Sequence, residues 1–185
     1  MRFSLGFVVL GAASVANAFI SPGQLISGID NLIHKTEDLI QPAGQLSIAD
    51  APKLLFGSGP FFEVITGLRD VTRLTTDIGG SLSGAAKGTF DGKDGDQIVA
   101  SVKKCQSCPT LFGDLLDAFL EKADIFNIPF VSTPFRLAIA LTKHAFQEFT
   151  GTIIGTLSGQ QANDARSSVQ SVDGKFTKTI TITEN

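Results

Sequence analysis

Apolar residues recur every three or four positions along most of this chain. The first long instance is Leu25, Ile26, Ile29, Leu32, Ile33, Leu39 and Ile40, the spacing of one face of an α-helix. Ser21-Pro22-Gly23-Gln24 ahead of it is a capping box with proline at the first helical position, and Gln41-Pro42 predicts its end. Residues 43–59 are rich in Pro, Gly, Ser and Ala, and their apolar triplet Leu54-Leu55-Phe56 predicts no more than a helical stub. A second long helix is predicted from Pro60, where Phe61, Ile65, Leu68, Val71, Thr75, Ile78, Leu82 and Ala85 keep the spacing and Gly79-Gly80 weakens the interior. Further helices are expected from Gln97 to about Lys104, with Asp94 or Asp96 as cap, and from about Pro109 to Asp124. Ser132-Thr133-Pro134 then opens a helix that Ser158-Gly159 ends. A last helix from about Gln160 carries Ala162, Ala165, Val169, Val172 and Phe176 before Thr and Ile alternate over residues 177–183, a pattern open to an extended tail. Five to six amphipathic helices with short connections predict an all-α fold, an antiparallel bundle.

Residues 1–18 stand apart. Arg2, the apolar run Phe3 to Val15 and the cleavage-type triplet Ala16-Asn17-Ala18 form the pattern of a secretory signal peptide. The run is shorter than the roughly 20 residues that span a bilayer, and no second such run follows. The expected mature chain therefore begins at Phe19, and residues 19–185 are expected to form a single helical-bundle domain, secreted and extracellular. That chain carries 14 basic and 18 acidic side chains and no basic stretch longer than Lys103-Lys104, which gives little electrostatic pull on nucleic acid or on anionic lipid headgroups. The polar end, Lys178 to Asn185, argues against a glycolipid anchor.

In an oxidising compartment Cys105 and Cys108, in Lys104-Cys105-Gln106-Ser107-Cys108-Pro109, are expected to form a small structural disulfide. The alternative, a thioredoxin-type redox pair, needs a strand before the first cysteine, and residues 98–102 read as the end of a helix. His34 and His144 are far apart and no second C-x-x-C exists, so no metal is assigned. Asp91-Gly92-Lys93-Asp94-Gly95-Asp96 resembles a calcium loop, yet starting from either Asp91 or Asp94 places Lys93, Gly95 or Ile98 where an oxygen ligand is required. Gly80-Ser81-Leu82-Ser83-Gly84 and Gly155-Thr156-Leu157-Ser158-Gly159 carry leucine where a nucleophile elbow needs serine. His144 with Glu148, and His34 with Glu37, read as surface helix pairs. No catalytic residue and no cofactor is assigned, and the chain is expected not to be an enzyme.

Phenylalanine is over-supplied. Thirteen of the 15 lie beyond the leader, and the chain has no Trp and no Tyr. Phe adds apolar area without the polar edge of Trp or Tyr, so these rings either fill a core or line an apolar cavity between helices. For the second case the candidate contacts are Phe112, Leu115, Phe119, Leu141, Phe146, Phe149 and Ile153, on the apolar faces of the two most Phe-rich helices.

The helix Leu68 to Ala86 leading to Phe90-Asp91-Gly92, the run from Leu115 to Phe126, and the following helix with Leu137, Leu141, Thr142, Ala145, Phe146 and Phe149 resemble the fungal hydrophobic surface binding protein A family, also called the cell wall mannoprotein group. The resemblance covers about residues 68–180. It implies a secreted helical bundle that adsorbs to hydrophobic surfaces or binds fatty acids, in some members attached to the cell wall. The segment Phe19 to Gly59, the C-x-x-C pair and the lack of an N-x-S/T sequon depart from that pattern. The expected partner is a fatty acid or other apolar small molecule, or a hydrophobic surface. The rival expectation is a structural cell-wall or interaction protein without a ligand cavity.

Overall fold

The computed structural model describes residues 20–83, 85, 86, 89–107 and 111–183. The leader, Cys108 and the Cys105 side chain lie outside the described residues, and with them the expected cleavage site and disulfide. Seven α-helices and two short 3-10 turns make up the described chain, and no strand occurs among the described residues. The all-α bundle expected from the spacing is therefore found.

Helix α1 spans Pro22–Gly44 and opens on the expected capping box: Gln24 N–H donates to Ser21 Oγ at 3.2 Å, and Ser21 N–H donates to Gln24 Oε1 at 2.9 Å. Pro42 does not end it. A proline in the last turn removes one hydrogen bond only, and burial of Leu39, Ala43 and Leu46 holds the chain helical around it. A 3-10 turn, Ile48–Asp50, leads into the one-turn α2, Ala51–Leu54. The stub thus sits earlier than the apolar triplet suggested, and Leu55 and Phe56 lie in the turn that follows. Helix α3, Gly59–Leu82, runs through Gly79-Gly80 without interruption.

Helix α4 spans Lys93–Ser107 and starts before the expected cap, so Asp94 and Asp96 lie within its first turn. There they favour the helix N-terminus electrostatically, and Asp96 also accepts from the Gln161 amide at 2.7 Å. Asp91 accepts from the Ser158 hydroxyl at 2.7 Å. The calcium-like loop is in fact a polar clasp to the start of the last helix. Helix α5, Leu111–Glu121, is followed by a 3-10 turn over Ala123–Asn127. Helix α6, Pro129–Thr156, begins earlier than the Ser-Thr-Pro signal implied and includes Pro134. Pro134 sits near the N-terminus, while Val131, Phe135, Ala138 and Ile139 pull that turn into the core. Helix α7, Gly159–Ile182, takes in most of the Thr-Ile tail. The extended reading of residues 177–182 is thereby corrected: Phe176, Thr179 and Thr183 are buried at helical spacing, and packing of that face overrides the β-branched preference.

Directions follow from which residues meet. Gly28 lies against Ile78 and Gly67 against Leu39, so α1 and α3 are antiparallel. Phe112 meets Phe146 and Phe119 meets Phe135, so α5 and α6 are antiparallel. Lys143 bonds Thr177 and Gln147 bonds Asp173, which makes α6 and α7 antiparallel too. The non-consecutive pair α3 and α6 runs parallel, since Phe61 meets Phe135 and Thr72 shares a 3.0 Å hydrogen bond with Thr142. One contiguous apolar core joins all seven helices.

Candidate functional site

Two aromatic groups organise that core. Phe135 takes the edge of Phe61 at 6.2 Å, and Phe119 and Phe126 at 5.0 and 5.2 Å between ring centroids. Phe112, Phe146 and Phe176 form a triangle with centroids 5.3 to 5.9 Å apart. Both have the tilted or edge-on geometry that aromatic quadrupoles favour. Of the seven residues expected to touch a ligand, Phe112, Leu115, Phe119, Phe146, Phe149 and Ile153 are buried together. Leu141 is not with them. It is 47% exposed on the outer side of α6, so the single apolar face drawn from sequence divides into an inner and an outer row.

Among the described residues a groove of about 600 Å³ lies between the C-terminal halves of α3 and α6, with Thr76, Gly79 and Gly80 on one wall and Ala145, Glu148, Phe149 and Thr152 on the other. It exists because small residues stand where the two helices converge: a Cβ on Gly79 would lie 3.7 Å from Phe149 Cα, whereas Gly80 and Gly151 have nothing within 4 Å of theirs. Phe149 is the only one of the seven expected contacts that lines a described hollow, and it does so with its ring rooted in the core. Sequence reasoning missed the glycine wall, although Gly79-Gly80 and Gly151 were its signal.

Polar side chains line much of the groove, and most of them are already engaged. Thr75, Thr76 and Thr152 donate their hydroxyl hydrogens to the carbonyls of Val71, Thr72 and Glu148, at 2.7, 2.9 and 2.8 Å. The Gln147 amide is held by Asp173. Glu148 lies 3.4 Å from His144 Nε2. The Ser83 hydroxyl also lines the groove, and the remaining wall is made of small residues and Phe149. A second hollow of about 360 Å³ sits at the α6–α7 corner near Ile154, Leu157 and Ala162. Among the described residues no cluster of His, Cys, Asp and Glu is arranged to hold a metal ion.

At the opposite end of the groove's axis the surface turns apolar. Phe56 is 84% exposed, and Leu55, Ile48, Phe62, Phe130, Leu137 and Leu141 are also exposed. Close by, the Lys53 ammonium at 2.8 Å and then the Ser47 hydroxyl at 2.6 Å hold the Asp50 carboxyl below its ordinary range. No described helix is long and apolar enough to cross a membrane.

This arrangement of helices resembles a solved structure, AFMP4P in complex with palmitic acid, with a TM-score of 0.66 over 88% of this chain and 99% of that one. The fold is shared with AFMP4P. The two sequences are 12% identical, so the likeness shows the architecture alone. No protein-family model matches the sequence, and no curated protein is similar to it at the sequence level.

Proposed function

We propose that this protein is a secreted, non-enzymatic carrier of an apolar ligand, a fatty acid or similar lipid, and that the acyl chain lies in the α3–α6 groove against Phe149. The observation that carries the reading is the groove itself: a hollow lined by Phe149, by glycines of both helices and by threonines whose hydroxyls are turned to their own helix carbonyls, in a fold shared with a protein solved with palmitic acid. Phe112, Leu115, Phe119, Phe146 and Ile153 stay in the core and do not line the groove, and the ligand's carboxylate stays at the solvent-facing mouth. Burial of hydrocarbon drives binding at roughly 0.8 kcal/mol per methylene removed from water.

Displacement of a fluorescent fatty acid by palmitic acid tests this. The wild-type protein is expected to bind. The double variant Gly80→Leu/Gly151→Leu, which fills the groove from two positions with open space and favours the helices, is expected to lose binding while staying folded. A wild-type protein that binds no fatty acid at micromolar concentration would leave the rings as core only, and the structural cell-wall reading would take its place.

A further inference from the structure

The α3–α6 groove and the hollow at the α6–α7 corner meet on the surface of α6. The groove reaches Gly151 and Thr152 on that helix, and the corner hollow begins at Ile154 and Gly155. Gly151 and Gly155 stand one turn apart on the same face, and a Cβ built on either meets nothing within 4 Å. An open saddle therefore joins the two hollows. The joined path follows α6 from Ala145 to Gly155, about 15 Å of helix at 1.5 Å per residue, a run that the body of a long acyl chain can follow. Its charges differ in sign and place. Glu148 is the one charged residue lining the groove, and Arg166 of α7 is the one lining the corner hollow. Glu148 lies 3.4 Å from His144 Nε2. Arg166 is exposed, and the bond its guanidinium donates, 3.2 Å to the Asn163 amide oxygen, leaves its charge without a counter-ion among the described residues. Lys143, the cation of α6 on the side of α7, is engaged by Asp173 at 3.7 Å and by Thr177 at 2.8 Å.

We infer that Arg166 anchors the headgroup: the ligand is a single-chain free acid whose tail lies beside Phe149 and whose carboxylate crosses the saddle to the Arg166 guanidinium. The inference rests on the groove reading and adds to it a direction for the chain and a ligand class. Charge complementarity selects both. A carboxylate left in the groove faces Glu148, a like charge, whereas at the corner it meets a planar fork of donors that fits it. Ile154, Leu157 and Ala162 line that corner and give the last methylenes an apolar seat. A neutral alcohol or ester with the same tail gains nothing from the guanidinium charge, so the acid is preferred. Ser83 is the rival partner for the headgroup, since the Thr72–Thr142 pairing of the parallel helices sets it level with the saddle. Its hydroxyl is neutral and discriminates weakly between an acid and an alcohol.

Competition by palmitic acid and by hexadecanol, which share the chain and differ in charge, tests the inference through displacement of one fluorescent probe. The wild type is expected to prefer palmitic acid by about three- to tenfold, the scale of a charge-assisted hydrogen bond at an exposed site, and added salt should shrink that preference. Arg166→Gln should erase the preference while leaving hexadecanol affinity and the helical circular dichroism unchanged, as the side chain is exposed. Arg166→Lys should keep part of it. A preference unchanged in Arg166→Gln, or lost only in Ser83→Ala, overturns the assignment and leaves the groove reading standing. Equal affinity of the wild type for the two ligands does the same. An Arg166→Gln variant that loses hexadecanol as well would make Arg166 a structural residue and also overturns it. A wild type that binds neither ligand removes the groove reading itself, and this inference with it.

Discussion

Gly95 and Gly80 both occupy helical positions, yet a methyl group added to each meets opposite surroundings. On Gly95 a Cβ would run into the Phe90 carbonyl oxygen and the Gln161 side chain, at the clasp that joins α4 to α7. Backbone must move to make room, and the disturbance typical of overpacking is about 1–3 kcal/mol. On Gly80 the same atom meets nothing, and alanine gains roughly 0.5–1 kcal/mol of helix propensity. Urea unfolding at constant slope should therefore show Gly95→Ala shifted to a lower midpoint and Gly80→Ala to a higher one. Two shifts of the same sign would mean that the close packing around Gly95 does not constrain the fold.

At the scale of elements, the sequence signals that succeeded were those set by neighbours along the chain. Ser21 and Gln24 cap α1 because their partners are three residues away, and the Phe112, Leu115 and Phe119 spacing marks α5 because a helical face repeats locally. The misses came where packing outweighed local preference, at Pro42, at Pro134 and above all in the Thr-Ile tail. In α7, Thr177, Thr179 and Thr181 donate to the carbonyls four residues earlier, at 3.0, 2.9 and 3.1 Å, and Phe176 anchors the turn between Phe112 and Phe146. Lys175 adds a 2.7 Å pair to Asp117 of α5. Helical structure here comes from docking, since weak helix formers in isolation nucleate poorly. A synthetic peptide of residues 158–183 should accordingly show little helix by circular dichroism in water, while the amide of the buried Thr179 should be strongly protected from exchange in the whole protein. A strongly helical peptide would return the credit to local propensity.

At the scale of the whole molecule, the sequence marked α5 and α6 as apolar but not which of their rows would be covered. That depends on α3 and α6 lying parallel with Phe61 against Phe135, a pairing between positions far apart in the chain. So Phe146 and Leu141, five residues apart on one helix, ended on opposite sides of the wall: one in a ring triangle, the other in solvent. The same geometry separates packing from binding experimentally. Phe146→Ala leaves a cavity among Phe112 and Phe176 and should cost about 3–5 kcal/mol of stability, lowering the melting temperature by roughly 2–4 °C per kcal/mol in a chain of this size. Palmitic acid at a hundred times its dissociation constant should raise the wild-type melting temperature by mass action, by about 2.7 kcal/mol of added stability. If the acyl chain lies in the groove, Phe146→Ala keeps that ligand-induced rise from its lower baseline, and Gly80→Leu/Gly151→Leu loses it from a baseline at or above that of the wild type. The reverse outcome, a rise lost with Phe146→Ala and kept in the groove-filled variant, would move the ligand inward to the Phe112, Phe146 and Phe176 triangle and make those rings a binding site that opens only when it is occupied.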